Sequence, residues 1–279
     1  MELTPHVIAL IDLALTEDLG SGDITTEATI SEDSRSAAAV RAKEDLVLAG
    51  LPVFRAVFNR LGEGVTFQDA KRDGSSISKG ELITRVSGPT RMLLSGERTA
   101  LNFLMRLSGI ATLTALCVQR VAGTKAAIVD TRKTTPGWRA LEKYAVRMGG
   151  GRNHRFSLSD GVLIKDNHIT AAGGIAEAVG RARQRAPHTA RIEVEVRNTE
   201  EINEALAAGV DVLLLDNMTP EQAAASVSLV SGRALIEVSG NMRPDTIGGY
   251  AKAGVDLISM GFLTHSARSV DINMKIETQ

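Results

Sequence analysis

The second half of the sequence alternates regularly between short apolar runs and longer segments with helical periodicity. The apolar runs, each of a length suited to a buried strand, are 126–130, 161–165, 191–196, 211–215, 234–238 and 256–260. The helix-like segments between them are 138–149, 174–186, 199–208, 219–230 and 243–253. Alternating strands and helices form parallel sheets with right-handed crossovers. Six or seven such units favour a (β/α) barrel over an open doubly wound sheet.

The first half of the sequence has a different pattern. Between residues 36 and 90, short β-like runs are separated by turns that contain glycine, which is typical of a small antiparallel sheet. A helix-like insert spans 52–61. We therefore predict an N-terminal α/β sandwich domain over 1–110, with a leading helix.

The remaining segments complete the domain prediction. The α/β barrel is expected over 111–270, and the C-terminal tail 271–279 can return to the N-terminal domain. Residues 91–121 are expected to form a helix. The stretch Glu17–Thr25, rich in glycine and aspartate, predicts a turn that closes the first helix and launches a strand.

Composition limits the function classes. A net charge of −1 gives no general attraction to nucleic acid or to a membrane surface. We expect no apolar run that could span a bilayer and no signal peptide. The lone Cys117 excludes an intramolecular disulfide, fits a reducing compartment and is expected to be a small core residue. These features predict a cytoplasmic protein that binds neither nucleic acid nor membrane.

Cations follow the first two predicted barrel strands. Arg132 and Lys133 come just after the first strand, Lys165 ends the second, and the loop between them carries His154 and Arg155. The carboxyl ends of parallel strands meet at one edge of the sheet, where ligands of such folds bind. Five potential cations at this edge predict a pocket for a small polyanion.

The later strands end in acidic and then in small residues. Glu195 ends the third strand and Asp216 the fourth. The fifth ends with Glu237, Ser239 and Gly240, and the sixth ends with Gly261. Small residues after the last strands of a barrel often hold a phosphate on backbone N–H groups. The edge therefore suits a ligand with carboxylate, ribose–metal and phosphate parts.

Two further features concern the possible metal ligands and the acidic residues at this edge. His154 and His168 could ligate a metal, but Arg155 directly follows His154 and no paired metal-ligand motif is present, so zinc is not expected. Glu193 and Glu195 are interpreted as lying on opposite faces of the strand, one pointing inward and the other towards the helix layer.

Arg98 occupies an unusual position in the predicted helix 91–121. It lies on the same stripe as Leu94, Leu101 and Met105. A guanidinium on an apolar face needs an ion pair or a ligand. A pair with Glu97 or another acid, and contact with a ligand or partner chain, both remain open from the residues alone.

Four stretches together identify a family resemblance. They are E-D-L-G-S-G-D-I-T at 17–25, E-R-T-A-L-N at 97–102, D-T-R-K-T-T-P-G at 130–137, and G-G-x-N-H-R with L-I-K-D-N-H within 150–168. They resemble the quinolinate phosphoribosyltransferase family over essentially the whole chain. A paralogous family associated with molybdate transport is weaker at the N-H-R and K-D-N-H stretches, which are both intact here.

The resemblance implies a fold and a reaction. The fold is an α/β sandwich domain plus an open α/β barrel of about seven parallel strands. The enzyme transfers phosphoribose from phosphoribosyl pyrophosphate (PRPP) to quinolinate with decarboxylation and Mg²⁺, yielding nicotinate mononucleotide, pyrophosphate and CO₂ for de novo NAD synthesis.

The resemblance also implies roles for the residues at the barrel edge. The quinolinate pocket is lined by Arg132, Lys133, His154, Arg155 and Lys165, with Arg98 supplied by the other subunit of a homodimer. Glu195 and Asp216 hold ribose and Mg²⁺, directly or through water or substrate. Ser239, Gly240 and Gly261 match the 5′-phosphate region.

Three questions stay open from the sequence. Either Lys133 or Lys165 can protonate the carbon that loses CO₂. A phosphoribosyltransferase for a monocarboxylate such as nicotinate needs fewer cations. A non-catalytic anion-binding protein does not need Glu195 and Asp216, whose charges repel an anion unless a metal lies between. Assembly beyond a dimer is a further open point.

Overall fold

A computed structural model of the chain describes residues 1–68 and 70–277, within which two compact units form. The first contains Met1–Ala115, Thr135–Gly150 and the residues from Ala267 onward, and the second contains Leu116–Thr134 and Gly151–Ser266. The predicted domain cut after residue 110 stays a prediction. Thr278 and Gln279 of the predicted tail lie outside the described residues.

The helices of the described residues are α1 Pro5–Leu19, α2 Ile24–Thr29, α3 Leu51–Leu61, α4 Thr90–Arg120, α5 Arg139–Met148, α6 Asp166–Ala172, α7 Ile175–Arg185, α8 Thr199–Ala207, α9 Pro220–Val230, α10 Ile247–Ala253 and α11 Phe262–His265. The strands are β1 Arg35–Ala42, β2 Leu46–Val47, β3 Thr66–Gln68, β4 Ser76–Ile77, β5 Leu82–Pro89, β6 Ala127–Val129, β7 Val162–Ile164, β8 Ile192–Val196, β9 Val212–Asp216, β10 Leu235–Ser239, β11 Leu257–Ser259 and β12 Ile272–Ile276.

The first unit contains an antiparallel sheet in the order β12-β1-β5-β3 and a small pair, β2-β4. Strand β12, the C-terminal segment, pairs with β1. The segment before β12 packs closely against the backbone of α4: a Cβ atom on Gly109 of α4 would lie 2.0 Å from the Arg268 carbonyl oxygen. Val270 N donates to Met105 O at 3.2 Å in the same region. Only glycine allows α4 and the C-terminal segment to approach this closely.

The segment 17–25 differs from its prediction. It turns at Gly20 as expected but then enters helix α2 and not a strand. The Asp23 carboxylate accepts a hydrogen bond from Thr26 N at 3.0 Å and so caps the helix. Helix α2 has six residues, which is too short for an apolar period to reveal it.

Helix α4 runs through the core. One 18-residue window has a mean hydropathy of 1.5, so by length and composition it could span a membrane, and the expectation of no such segment is wrong. The mean hydropathy of this window stays high although serines and threonines interrupt the apolar residues, which is why no continuous apolar run was seen in the sequence. However, 56% of the window is buried inside the protein, as in the core helix of a soluble protein. Cys117 on this helix is fully buried, and burial raises the pKa of its thiol to about 12.

The second unit contains a parallel sheet in the order β6-β11-β10-β9-β8-β7, with helices between successive strands. Arg152 adds a short parallel bridge to Val129 on the free side of β6. The strands and this bridge form the predicted open barrel of about seven segments. All strands run in one direction, so their carboxyl ends meet at one rim.

Candidate active site

A cavity of about 540 Å³ opens at the carboxyl ends of the barrel strands. It lies wholly within the second compact unit. Its lining combines cations, carboxylates, small polar residues and two leucines: Thr131, Arg132, Lys133, His154, Arg155, Leu163, Lys165, Glu195, Leu214, Asp216, Asn217, Glu237, Ser239, Gly240, Asn241 and Ser259. The structure thus brings nine of the sequence-predicted site residues to one cavity.

The two arginines of the cavity are half-buried, whereas Lys133 and Lys165 are exposed. Arg155 Nη1 donates a hydrogen bond to the Gly161 carbonyl at 3.0 Å. Burial, followed by repulsion from Arg132, lowers the pKa of Arg155. An anion placed between two such guanidinium groups relieves both costs, so this half of the cavity is built to receive one.

Two of the cavity's carboxylates lie at the ends of β8 and β9. Glu195 accepts a hydrogen bond from Lys165 Nζ, and its side chain is 10% exposed. Asp216 accepts from Asn217 Nδ2 at 2.9 Å. Lys165 and Glu195 therefore form an ion pair with each other within the site. Asp216 keeps oxygen lone pairs for a ligand.

The two glycines at the ends of β10 and β11 are required for different structural reasons. A Cβ atom on Gly240, whose φ is 98°, would lie 2.2 Å from Asn217 Oδ1, so any other residue would be strained and would displace the Asn217 side chain. Gly261 is outside the cavity lining. A Cβ atom on it would lie 2.8 Å from Lys133 Cδ and 3.1 Å from His265 Cδ2, so glycine leaves room for both side chains.

Buried Asp130 positions the loop that carries His154 and Arg155. It ends the apolar run of β6, and its Oδ1 accepts from the His154 backbone N–H at 2.9 Å. Its Oδ2 accepts from Asn153 Nδ2 at 2.5 Å. The D-T-R-K and N-H-R stretches are therefore one structural unit, because the acid of the first anchors the second.

The ring of His154 is engaged on both sides. Nδ1 accepts from the Arg155 backbone N–H at 2.7 Å, and Nε2 lies 3.1 Å from Glu193 Oε2 and 3.6 Å from Glu237 Oε1. A backbone N–H can only donate, so Nδ1 carries no proton. The ring is therefore neutral, with its proton on Nε2. Of the five potential cations predicted at this edge, four are lysine or arginine side chains, and His154 is the one whose ring nitrogen acts as an acceptor.

The prediction that Glu193 and Glu195 lie on opposite faces of the strand is wrong. Side chains alternate along a strand, so residues two apart share a face, and Glu193 points inward like Glu195. Glu237, two residues before Ser239, also faces the interior, where burial and Glu193 raise its pKa to about 7. The sequence interpretation placed Glu237 at the end of the fifth strand but gave neither acid a role, although the two-residue spacing in E-V-E and E-V-S was the signal.

Arg98 belongs to the first unit, on α4. It is exposed, and within the described part of the chain it makes no hydrogen bond or ion pair. An ion pair with Glu97 is therefore not what holds it. The desolvation that the apolar stripe suggested does not occur in the single chain.

Comparison with known proteins agrees with this site. The family model described as quinolinate phosphoribosyl transferase, C-terminal domain, matches residues 110–275, and the model for the N-terminal domain matches 23–108. The chain belongs to the quinolinate phosphoribosyltransferase family. The family models cover both compact units.

Individual relatives extend over nearly all of the chain. A probable nicotinate-nucleotide pyrophosphorylase [carboxylating] of Bacillus subtilis is 46% identical over 93% of this chain and 90% of its own. Quinolinate phosphoribosyltransferase [decarboxylating] 1b of Nicotiana tabacum is 38% identical over 97% of this chain and 82% of its own. The crystal structure of NadC from Streptococcus pyogenes is similar with a TM-score of 0.95 at 45% identity, covering 99% and 98% of the two chains.

Proposed function

We propose that this protein transfers phosphoribose from PRPP to the ring nitrogen of quinolinate with decarboxylation. The products are nicotinate mononucleotide, pyrophosphate and CO₂, in de novo NAD biosynthesis. The observation that carries the proposal is one cavity in which four cations, Arg132, Lys133, Arg155 and Lys165, lie beside three carboxylates. Quinolinate has two carboxylates and PRPP carries several phosphate charges, so both substrates need such a cavity.

The cations bind and orient the pyridine dicarboxylate. Arg132 and Arg155 repel each other, and a carboxylate between them turns that repulsion into two charge-assisted hydrogen bonds. Holding both carboxylates fixes the ring nitrogen relative to the ribose and reduces the entropic part of the barrier. The His154 ring helps shape this region without adding charge.

Glu195 and Asp216 fit a role at the ribose and Mg²⁺. Magnesium prefers oxygen ligands and is often bound through one or two carboxylates together with substrate phosphates. Asp216 offers such oxygens, and Glu195 does so if Lys165 shifts to the substrate. Bound Mg²⁺ neutralises charge on the departing pyrophosphate. The carboxylates themselves favour the positive charge that develops at ribose C1.

Decarboxylation follows from the bond to the ring nitrogen. Once alkylated, the nitrogen is cationic, so the electron pair of the broken C–CO₂ bond can remain on the ring carbon. A proton then replaces CO₂. Lys133 and Lys165 both line the cavity and are the candidate donors. Ser239 and Gly240 lie at the far strand ends, where we place the 5′-phosphate, with Gly261 next to them.

One incubation tests the proposed reaction. Protein, quinolinate, PRPP and Mg²⁺ should yield nicotinate mononucleotide and CO₂ in equal amounts, measured by mass spectrometry. Nicotinate in place of quinolinate is the matched control for the rival phosphoribosyltransferase activity. Turnover of nicotinate but not quinolinate would assign the rival, and binding of quinolinate without pyrophosphate release would leave an anion-binding protein.

Removing the two rim acids tests their role. Glu195→Gln and Asp216→Asn keep the side-chain volume but remove the charge. We expect a fall in kcat and a changed dependence on Mg²⁺ concentration, with unchanged thermal unfolding. Wild-type rates for both variants at every Mg²⁺ concentration would make these acids structural.

The proposal includes a homodimer in which Arg98 serves the site of the other subunit. Its exposure and lack of an internal ion pair support this assignment. Arg98→Ala and Arg132→Ala homodimers should each be nearly inactive. In mixed dimers one site carries both defects and the other neither. Random exchange should therefore restore activity to about a quarter of wild type. Absence of recovery, with exchange verified by native mass spectrometry, would place Arg98 in its own chain's site or in a structural role.

The proposed compartment is the cytoplasm. The buried course of α4 and the single buried cysteine support it. Association of dimers into larger assemblies can be read from the same native mass spectra.

A further inference from the structure

We propose that Glu193 is a positioning residue for Arg155, acting through the ring of His154 and through its own negative charge. The effect of Glu193 on quinolinate binding rests on the proposed function. The arrangement of Glu193, His154 and Arg155 does not. Nothing in the strand pattern required this acid for the fold, since neighbouring positions of β8 bury apolar side chains.

A chain of two contacts connects Glu193 to the Arg155 main chain. Glu193 Oε2 lies 3.1 Å from His154 Nε2, and His154 Nδ1 accepts from Arg155 N at 2.7 Å. The first contact orients the ring and selects its tautomer. The second uses that tautomer to orient the peptide from which the Arg155 side chain extends. Loss of the Glu193 acceptor frees the ring to rotate and removes this constraint.

The charge of Glu193 provides a second effect on the same arginine. Burial and the nearby Arg132 both disfavour a charged Arg155, and the attraction of Glu193 opposes them. Glu193 is 7% exposed, so solvent screens this attraction only weakly. It therefore helps keep two guanidinium groups charged at one end of the same cavity.

The contacts of Glu193 point to this role and not to a structural network. Its Oε1 atom is buried and makes no hydrogen bond within the described residues. Native proteins seldom leave such an atom unsatisfied without a functional reason.

The same geometry argues against a metal ion held by His154, Glu193 and Glu237. Their possible ligand atoms lie within 4.8 Å of one another. Because Nδ1 accepts from a backbone N–H, the ring proton is on Nε2, the atom that faces the carboxylates. A protonated Nε2 has no lone pair for a metal.

Nuclear magnetic resonance of the uniformly ¹⁵N-labelled full-length protein tests the geometry without any substrate. Two-bond ¹H–¹⁵N spectra at neutral pH should show His154 as the neutral Nε2–H tautomer, assigned with His154→Asn. In Glu193→Ala the His154 signals and the Arg155 Nε–H signal should shift or broaden. A charged ring, an Nδ1–H tautomer, or an unchanged Arg155 signal in the variant would overturn the proposal.

Kinetics test the consequence for binding. Glu193→Ala should raise KM for quinolinate by about tenfold or more, which is the size of effect that loss of an outer-shell partner has at metal sites. KM for PRPP should change by less than about twofold, because the altered arginine serves the carboxylate half. Glu193→Gln should recover part of the loss, since its amide oxygen still accepts from Nε2–H without the charge.

Exposed Glu63 provides the matched control, as Glu63→Ala and Glu63→Gln should leave both KM values unchanged. Equal rises in both KM values for Glu193→Ala, or no rise for quinolinate, would overturn the positioning role. If Glu193→Ala does not fold, Glu193→Gln and the wild-type tautomer still decide the matter. A wild-type protein that does not convert quinolinate would refute the proposed function, while the resonance measurements would still judge the positioning of Arg155.

Discussion

Both compact units bury glutamates, but they differ in how many hydrogen bonds the buried carboxylate oxygens accept. In the first unit, Glu142 is fully buried and accepts from Arg106 Nη2 at 2.9 Å, from Thr135 Oγ1 at 2.9 Å and from Thr135 N at 3.0 Å. In the second unit, Glu193 and Glu237 are almost as buried, yet each has an Oε1 atom without a hydrogen bond in the described chain. One region satisfies its buried charge and the other does not.

The difference separates a carboxylate that supports the fold from carboxylates that support a site. Hydrogen bonds to both oxygens of Glu142 offset the cost of removing its charge from water. The barrel acids leave part of that cost unmet, and the pKa of Glu237 rises in consequence. Such incomplete satisfaction is stable only because the surrounding barrel core supplies the remaining folding free energy.

Removing the satisfied acid should give the largest effect on stability. Glu142→Ala removes the carboxylate that pairs with Arg106 and accepts from Thr135, and breaking a buried pair of this kind costs roughly 3–5 kcal/mol. Urea unfolding should show this loss. Glu142→Gln, which keeps one acceptor oxygen, should lose less, and Glu63→Ala is the exposed control. A change below about 1 kcal/mol for Glu142→Ala would remove the contrast between the two regions.

Removing a cation from the cavity should affect catalysis and spare stability. Arg132→Ala or Arg155→Ala should lose roughly 2–4 kcal/mol of transition-state stabilisation, as expected for a charged hydrogen-bonding group. Steady-state kinetics should show the loss with quinolinate, while PRPP binding changes less. Near-normal quinolinate turnover by both variants would contradict the pocket assignment. Lys125→Ala, at an exposed ion pair with Asp256, is a control for loss of a cation in the same unit.

The smallest effect should be a change in how stability depends on pH. Folding raises the pKa of Glu237 from its ordinary value of 4.5 to about 7, so between these values the folded state binds more protons than the unfolded state. Stability from this group is full below pH 4.5 and is lost as pH rises through 7. Glu237→Gln removes this dependence.

Unfolding free energies at several pH values measure the effect. Relative to wild type, Glu237→Gln should gain about 1–3 kcal/mol between pH 4.5 and pH 8, with the change centred below 7. Parallel curves for variant and wild type would show that Glu237 does not titrate differently in the folded barrel. The contrast with Glu142 would then rest on hydrogen bonds alone.

The barrel was predictable because its elements repeat. Each apolar run of the alternating half became a strand, and Lys165, Glu195 and Asp216 followed strand ends to one rim because all the strands are parallel. Helix α2 was not predictable from periodicity, since six residues are too few for a pattern and its cap, Asp23, also fits a turn.

The sequence by itself determined the periodic and local properties of this protein. These are the positions of the strand ends, the cationic residues that follow them, and the family to which four motifs point. The charge state of His154 and the roles of Glu193 and Glu237 were decided only by tertiary structure. A histidine titrates near neutral pH, so its charge depends on which donors and acceptors surround it. Here those partners come from the next residue and from β8 and β10, which are distant in the chain and adjacent only in the folded barrel.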